Sequence, residues 1–193
     1  MNEKKQQVWF TSDTHFGHEN VIKYSNRPYR DKWEMDEAMI NNWNAKVQPW
    51  DVIYHLGDVF FCREDRALEI LRRLNGQKFL IMGNHDKYLR KSAKLQDEFV
   101  KCSDYQEIVV EGQTIVMCHY AMLTWNKAHH GSWMLHGHSH GSLKYPFEAK
   151  IHDAGVDPND YSPISFQDVR RIMNKKQFKS VDHHGEGKSD TEM

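Results

Sequence analysis

Five short segments of the chain carry side chains able to ligate a divalent metal ion: Asp13-Thr14-His15, Gly57-Asp58, Gly83-Asn84-His85-Asp86, His119 and Gly137-His138-Ser139-His140. Carboxylate and amide oxygens combined with imidazole nitrogens make a mixed donor set. Such a set accepts manganese, the ion expected here, and equally iron, zinc, nickel, cobalt or magnesium, with availability deciding between them. Histidine is over-represented as well, at 13 of 193 residues, and that excess asks for a use. Any one of these histidines alone is more often a core group satisfying hydrogen bonds, and Asp13 or Asp58 alone is as easily a cap or turn residue. Position makes the set informative, because each segment directly follows a run that reads as a buried strand, where a rigid scaffold presents polar groups.

The elements that must position these residues follow from periodicity. Residues 8–12 join β-branched and aromatic side chains before the polar break at Asp13, the pattern of a buried strand. Residues 16–33 read as a loop, broken by Gly17, Asn26 and Pro28, with a short helical turn at 20–24. Residues 33–47 place Met35, Met39, Ile40, Trp43 and Val47 at helical spacing, and Pro49 stops that helix. A second strand, 51–56, meets Gly57-Asp58. A helix over 64–74 follows, with Ala67, Leu68, Leu71 and Leu74 on one face and Gly76 as its C-terminal cap. The third strand, 78–82, runs into Gly83. The second half changes character: 106–110 and 114–118 form a hairpin that exits at His119. Short strands follow at 133–135 and 151–156, then a helix at 165–173 with Ser165 as its N-cap.

In this order and at these strand exits, the five segments resemble the calcineurin-like metallophosphoesterase superfamily, whose motifs read DxH, GD, GNH[DE], a lone His and GHxH; the resemblance covers residues 8–157. It implies a mixed α/β (α+β) metallophosphoesterase fold, a two-sheet β-sandwich flanked by helices in four layers, α/β/β/α. It also implies two divalent ions bridged by Asp58, one completed by Asp13, His15 and His140 and the other by Asn84, His119 and His138. Phosphate esters resist hydrolysis because the attacking oxygen meets an anion, and two ions roughly 3.5 to 4 Å apart both neutralise that charge and generate hydroxide. The implied reaction is direct attack of that hydroxide on phosphorus, with Asn84 and His85 steadying the phosphoryl oxygens. His85 would also protonate the leaving oxygen, a role suited to imidazole near neutral pH, with Asp86 as its expected support. His138 and His140 are separated by one residue and would diverge in an extended segment, so a bend at Gly137 or a turn must bring both imidazoles to the ions.

The phosphoprotein-phosphatase branch reads GDxVDRG, whereas this chain reads Gly57-Asp58-Val59-Phe60-Phe61-Cys62-Arg63. Phe61 stands where that branch has an acidic partner for the catalytic histidine, which argues against a protein phosphatase or a diadenosine-polyphosphate hydrolase. The stretch from Phe10 to His18, with Asn26-Arg27-Pro28 after it, is similar to a small bacterial or phage branch. The substrates expected are phosphorylated small molecules or nucleotides, as phosphomonoesters or phosphodiesters. The alternatives are a nuclease and a non-catalytic scaffold, and the second conflicts with a chain in which every ligand position and His85 is filled.

Other residues carry weaker signals. His18 continues the Asp13-x-His15 wall, and Arg27 and Arg30 flank Pro28, where bidentate hydrogen bonds could grip a substrate phosphate; a solvated charge is the bland alternative for each. His129-His130 reads better as a surface turn. Cys62, Cys102 and Cys118 form no CxxC pair and carry no adjacent base, so they read as reduced thiols without a nucleophilic role. Trp9, Trp43, Trp50 and Trp133 suit packing positions.

Lys plus Arg number 26 and Asp plus Glu 27, so no global field draws the chain to nucleic acid or an anionic membrane. No apolar run approaches the roughly 20 residues needed to span a bilayer, and the N-terminus lacks the apolar core of a secretory signal. The expectation is a cytoplasmic protein with no obligate protein partner, in which residues 1–180 form a single domain and 181–193 a disordered tail.

Overall fold

The computed structural model describes residues 5–146, 148–179 and 181, so the expected disorder of 182–193 lies outside the described residues. The chain opens with β1 (Val8–Thr11), then α1 (Glu19–Tyr24), α2 (Lys32–Lys46), β2 (Val52–His55), α3 (Glu64–Arg73), β3 (Gln77–Ile81), α4 (Ala93–Gln96) and β4 (Lys101–Ser103). It continues with β5 (Tyr105–Val110), β6 (Gln113–Cys118), β7 (Trp133–His136), β8 (Ile151–Asp153), β9 (Ile164–Ser165) and α5 (Phe166–Asn174). Local chemistry accounts for the helix ends. The Asp31 carboxylate accepts the Trp33 and Glu34 N–H groups at the start of α2. Ser165 Oγ accepts the Asp168 N–H at the start of α5. In α3 the first turn carries Glu64 and Asp65 and the last Arg72 and Arg73, each favoured by the helix dipole. Leu74 caps that helix, and Gly76, at φ +92°, turns the chain into β3.

The strands form two sheets, ordered β4-β3-β2-β1-β9 and β5-β6-β7-β8. Strands β1 to β4 are parallel and β9 runs against them; β6, β7 and β8 are parallel and β5 pairs antiparallel with β6. Successive side chains alternate between the two faces of each strand. Trp9, Ile53 and Leu80 enter the core that includes Val21, Ile40, Trp43 and Leu71 of the helices. Phe10, Tyr54 and Ile81 enter the core between the sheets, meeting Ile115, Met117 and Leu135 together with Val169 of α5. The outer face of the second sheet, Val116, Met134 and Ile151, packs under Trp125 and Ala128. The result is a mixed α/β architecture of two sheets flanked by helices. Because β1, β2 and β3 run one way, as do β6 and β7, the carboxyl ends of each set gather, the usual ligand-binding edge of parallel sheets. Among the described residues no helix is long and apolar enough to cross a membrane.

Candidate metal centre

Asp13 and His15 follow β1, Asp58 follows β2, Asn84 and His85 follow β3, His119 follows β6, and His138 and His140 follow β7. Five of these residues hold left-handed backbone: Asp13 (φ 55°), His15 (50°), Asp58 (58°), His138 (66°) and His140 (47°). Such a conformation costs a non-glycine residue roughly 1 to 3 kcal/mol and clusters where function needs it. At His138 and His140 it supplies the turn that brings two near neighbours to one site. The flanking glycines are dictated by contact: a Cβ on Gly83 would lie 2.2 Å from Asp58 Oδ1, and one on Gly137 would lie 1.9 Å from Ser12 Oγ and 2.5 Å from Asp13 Oδ2.

The side chains converge on two groups able to hold an ion, Asp13/His15/His140 and Asp58/His119/His138. In the first, His15 Nε2 and His140 Nε2 lie 3.9 and 3.8 Å from Asp13 Oδ1. In the second, His119 Nε2 lies 3.5 Å from Asp58 Oδ2. The same Asp58 oxygen is 3.8 Å from His15 Nε2, so one carboxylate oxygen faces both groups. These spacings exceed a hydrogen bond and match the roughly 3 to 4 Å expected between donors sharing an ion at about 2.1 Å. Asp13 Oδ1 and His15 Nε2 are buried without a hydrogen-bond partner, an arrangement that disfavours an empty fold and suits a cation. Asn84 Oδ1 joins the second group, 2.9 Å from His119 Nε2 and 3.0 Å from His138 Nδ1.

Three contacts aim the ligands. His119 Nδ1 meets the Leu56 carbonyl at 2.7 Å, leaving Nε2 toward Asp58. His140 Nδ1 meets Asp157 Oδ2 at 2.7 Å, leaving Nε2 toward Asp13. The His138 N–H donates to Asp13 Oδ2 at 2.9 Å, which ties the two sheets together across the site. Burial pushes the Asp13 carboxyl up to about 7 and the His15 imidazole down to about 2. Burial would also raise Asp58, but His119, the His85 backbone N–H and His15 outweigh it and hold that carboxyl at about 2. His119 and His140 are raised despite burial, through Asp58 and Asp13 for the first and Asp157 and Asp13 for the second.

The model of the calcineurin-like phosphoesterase superfamily domain matches residues 7–150. The chain belongs to the calcineurin-like phosphoesterase superfamily. It is 32% identical over 177 residues to an uncharacterised protein of Methanocaldococcus jannaschii, spanning 88% of this chain and 93% of that relative. It is 27% identical over 161 residues to the Gene 66 protein of Mycobacterium phage D29, spanning 70% and 79%. The solved structure of a protein of unknown function from Aquifex aeolicus matches with a TM-score of 0.68 and 27% identity, over 87% of this chain and 100% of that one.

Two readings of the sequence need correction in this phosphoesterase. Asp86 does not support His85: it is buried, and its carboxylate accepts the backbone N–H groups of Asp58 (2.8 Å), Val59 (2.9 Å) and Gly83 (2.8 Å), stapling the loops after β2 and β3 to each other. The sequence neighbour of His85 thus points back into the fold. Nor does Arg27 face a substrate. Its guanidinium is buried and spends all five N–H groups: two on Asp157 (2.9 Å each), one each on the carbonyls of Asp13 (2.7 Å) and Thr14 (2.9 Å), and one on Met35 Sδ (3.5 Å). It clamps the loop that carries Asp13 and His15. Arg30 is exposed and pairs with Asp31.

The sequence reading missed Asp157, the link between Arg27 and His140. A signal was present, since Gly155-Val156-Asp157 follows β8 in the same strand-then-acid pattern as the ligand segments. His85 is exposed at the rim, its N–H donating to Asp58 Oδ1 at 2.8 Å. Its ring lies 4.8 Å from that of Phe61, which stacks on His18 at 3.9 Å. His18 and His85 line a cleft of about 940 Å³ over the ligands, with His15, Phe61, His138 and His140 in its wall. His129 and His130 end a 3-10 helical turn, Ala128–His130, outside that lining.

Proposed function

We propose that this superfamily member is a dinuclear-metal phosphoesterase acting on small, nucleotide-like phosphate esters. The observation that carries the reading is the placement of Asp58 Oδ2 within 4 Å of both His15 and His119, the position a bridging carboxylate needs. Asp13, His15 and His140 would hold one ion, and Asn84, His119 and His138 the other, with manganese the first candidate. Bound there, the ions supply charge neutralisation for the phosphoryl group and a lowered pKa for water.

The protein's own part is positioning and proton transfer. The oxygen of water forms a bond to phosphorus, the bond from phosphorus to the alcohol oxygen breaks, and His85 passes its proton to that leaving oxygen. The attacking water gives up one proton to solvent, and solvent returns one to His85, so the step balances. His85, whose backbone N–H is held by Asp58 Oδ1, and Asn84 beside it would face the phosphoryl oxygens. The cleft volume suits a small ligand, and the balanced charge suits one with few phosphates. Three free cysteines fit a reducing, cytoplasmic setting.

The test is hydrolysis of bis-p-nitrophenyl phosphate and p-nitrophenyl phosphate by metal-stripped protein reconstituted with manganese, beside an Asp58→Asn variant. Metal-dependent turnover that disappears in the variant supports the reading, and the preferred ester separates diesterase from monoesterase. Turnover with neither ester, under any of the six candidate metals, contradicts it.

A further inference from the structure

A second cleft, of about 1030 Å³, adjoins the first: Phe61 and His85 line both. Its wall gathers large rings that the fold leaves in water, Trp33 at 57% exposure, Tyr88 at 56% and Phe61 at 38%. Rings exposed together beside a polar site are what ligand pockets use. Trp33 has further support, with Lys32 Nζ 5.2 Å and Arg66 Cζ 5.4 Å from its ring. Arg66 is itself held, by Asp36 at 3.3 Å and Glu69 at 2.7 Å, so the surface is preorganised.

We infer, building on the phosphoesterase reading above, that this second cleft binds a nucleobase-sized aromatic arm of the substrate by stacking on Trp33 and Tyr88. His85 stands where the two clefts meet, so a group attached through the ester oxygen it protonates passes directly into the second one. The charges there choose a ring over a phosphate chain. Lys32, Arg63 and Arg66 are offset by Asp36, Glu64 and Asp65 in the same lining, which leaves no surplus positive charge for a polyanion. Aromatic stacking needs no such surplus and accepts any base, because every base has a π face. The substrate is then a nucleotide ester, with its phosphate at the candidate metals and its base beyond Phe61.

The experiment compares binding of two non-hydrolysable ligands to manganese-reconstituted protein by calorimetry. They are the methylenephosphonate isosteres of adenosine 5′-monophosphate and of ribose 5-phosphate, which differ only by the base. The adenosine ligand is expected to bind about tenfold tighter or more, within the range that base stacking supplies. Trp33→Ala is expected to close most of that gap and leave the ribose ligand unchanged. The variant keeps the α2 cap, because Asp31 accepts the Trp33 backbone N–H and not its side chain. Equal affinities in the wild type, or a gap that survives both Trp33→Ala and Tyr88→Ala, overturns the inference. Failure of both ligands and of inorganic phosphate to bind overturns the phosphoesterase reading instead, and this inference with it.

Discussion

Replacing Arg27 with alanine separates a structural clamp from a substrate contact. The Arg27 side chain is fully buried and Asp157 nearly so. The variant therefore leaves the Asp157 carboxylate with His140 as its one side-chain hydrogen-bond partner among the described residues, and strips the Asp13 and Thr14 carbonyls of a donor. Breaking a buried pair from one side costs about 3 to 5 kcal/mol, a large share of the 5 to 15 kcal/mol that typically holds a domain. Urea denaturation of the metal-free protein reads this as a fall in midpoint with little change in slope. A companion cycle with Arg27→Met, Asp157→Leu and the double variant is expected to show coupling, the double losing less than the two singles together. If Arg27→Ala retains wild-type stability to within about 1 kcal/mol and only raises KM, the guanidinium is reaching substrate and the clamp is wrong.

Asp157→Asn keeps the size of the side chain but weakens its grip on His140 Nδ1. Manganese affinity, measured by competition with a chelator, is expected to fall about 10- to 100-fold, the usual effect of losing a ligand's supporting carboxylate; unchanged affinity would remove Asp157 from the site. Gly137→Ala forces a Cβ onto Ser12 Oγ and Asp13 Oδ2, so metal affinity and turnover should both be lost, whereas a fully active variant would show that the close approach is dispensable. His152, lowered to about 4 mainly by burial, supplies a pH dependence away from the ligands. Its unfolded form gains a proton near pH 6.5 while the folded form does not, so its contribution to stability is whole above that pH and declines as pH falls toward 4. Relative to His152→Gln, the wild type should lose up to about 1.4 kcal/mol per pH unit in that window; a difference that is flat with pH, or that grows in the wild type's favour on acidification, contradicts this.

What the sequence revealed depended on whether the cause was local. Ser165 was readable as a cap because its partner, Asp168, lies three residues on, and the ligand segments were readable because residue type, order and strand exits coincide. Strand β9, two residues long, and strand β4, three, exist through pairing with β1 and β3 and carry no periodic signal of their own. The role of Arg27 was invisible for the same reason: its partner Asp157 lies 130 residues away, and an arginine beside a proline in a loop reads as a surface charge. The left-handed backbone at Asp13, Asp58 and the paired histidines was equally hidden, since only glycine announces that conformation by its identity.

Metal stoichiometry bears most directly on the candidate centre. Crystals of the manganese-reconstituted protein, measured at the manganese absorption edge, locate the ions without relying on any substrate. Two anomalous peaks per chain, both in contact with Asp58 and reduced to one or none in Asp58→Asn, are the expected result. A single ion that leaves Asn84, His119 and His138 unused, or ions bound elsewhere with Asp58 untouched, would contradict a dinuclear centre built on these seven residues.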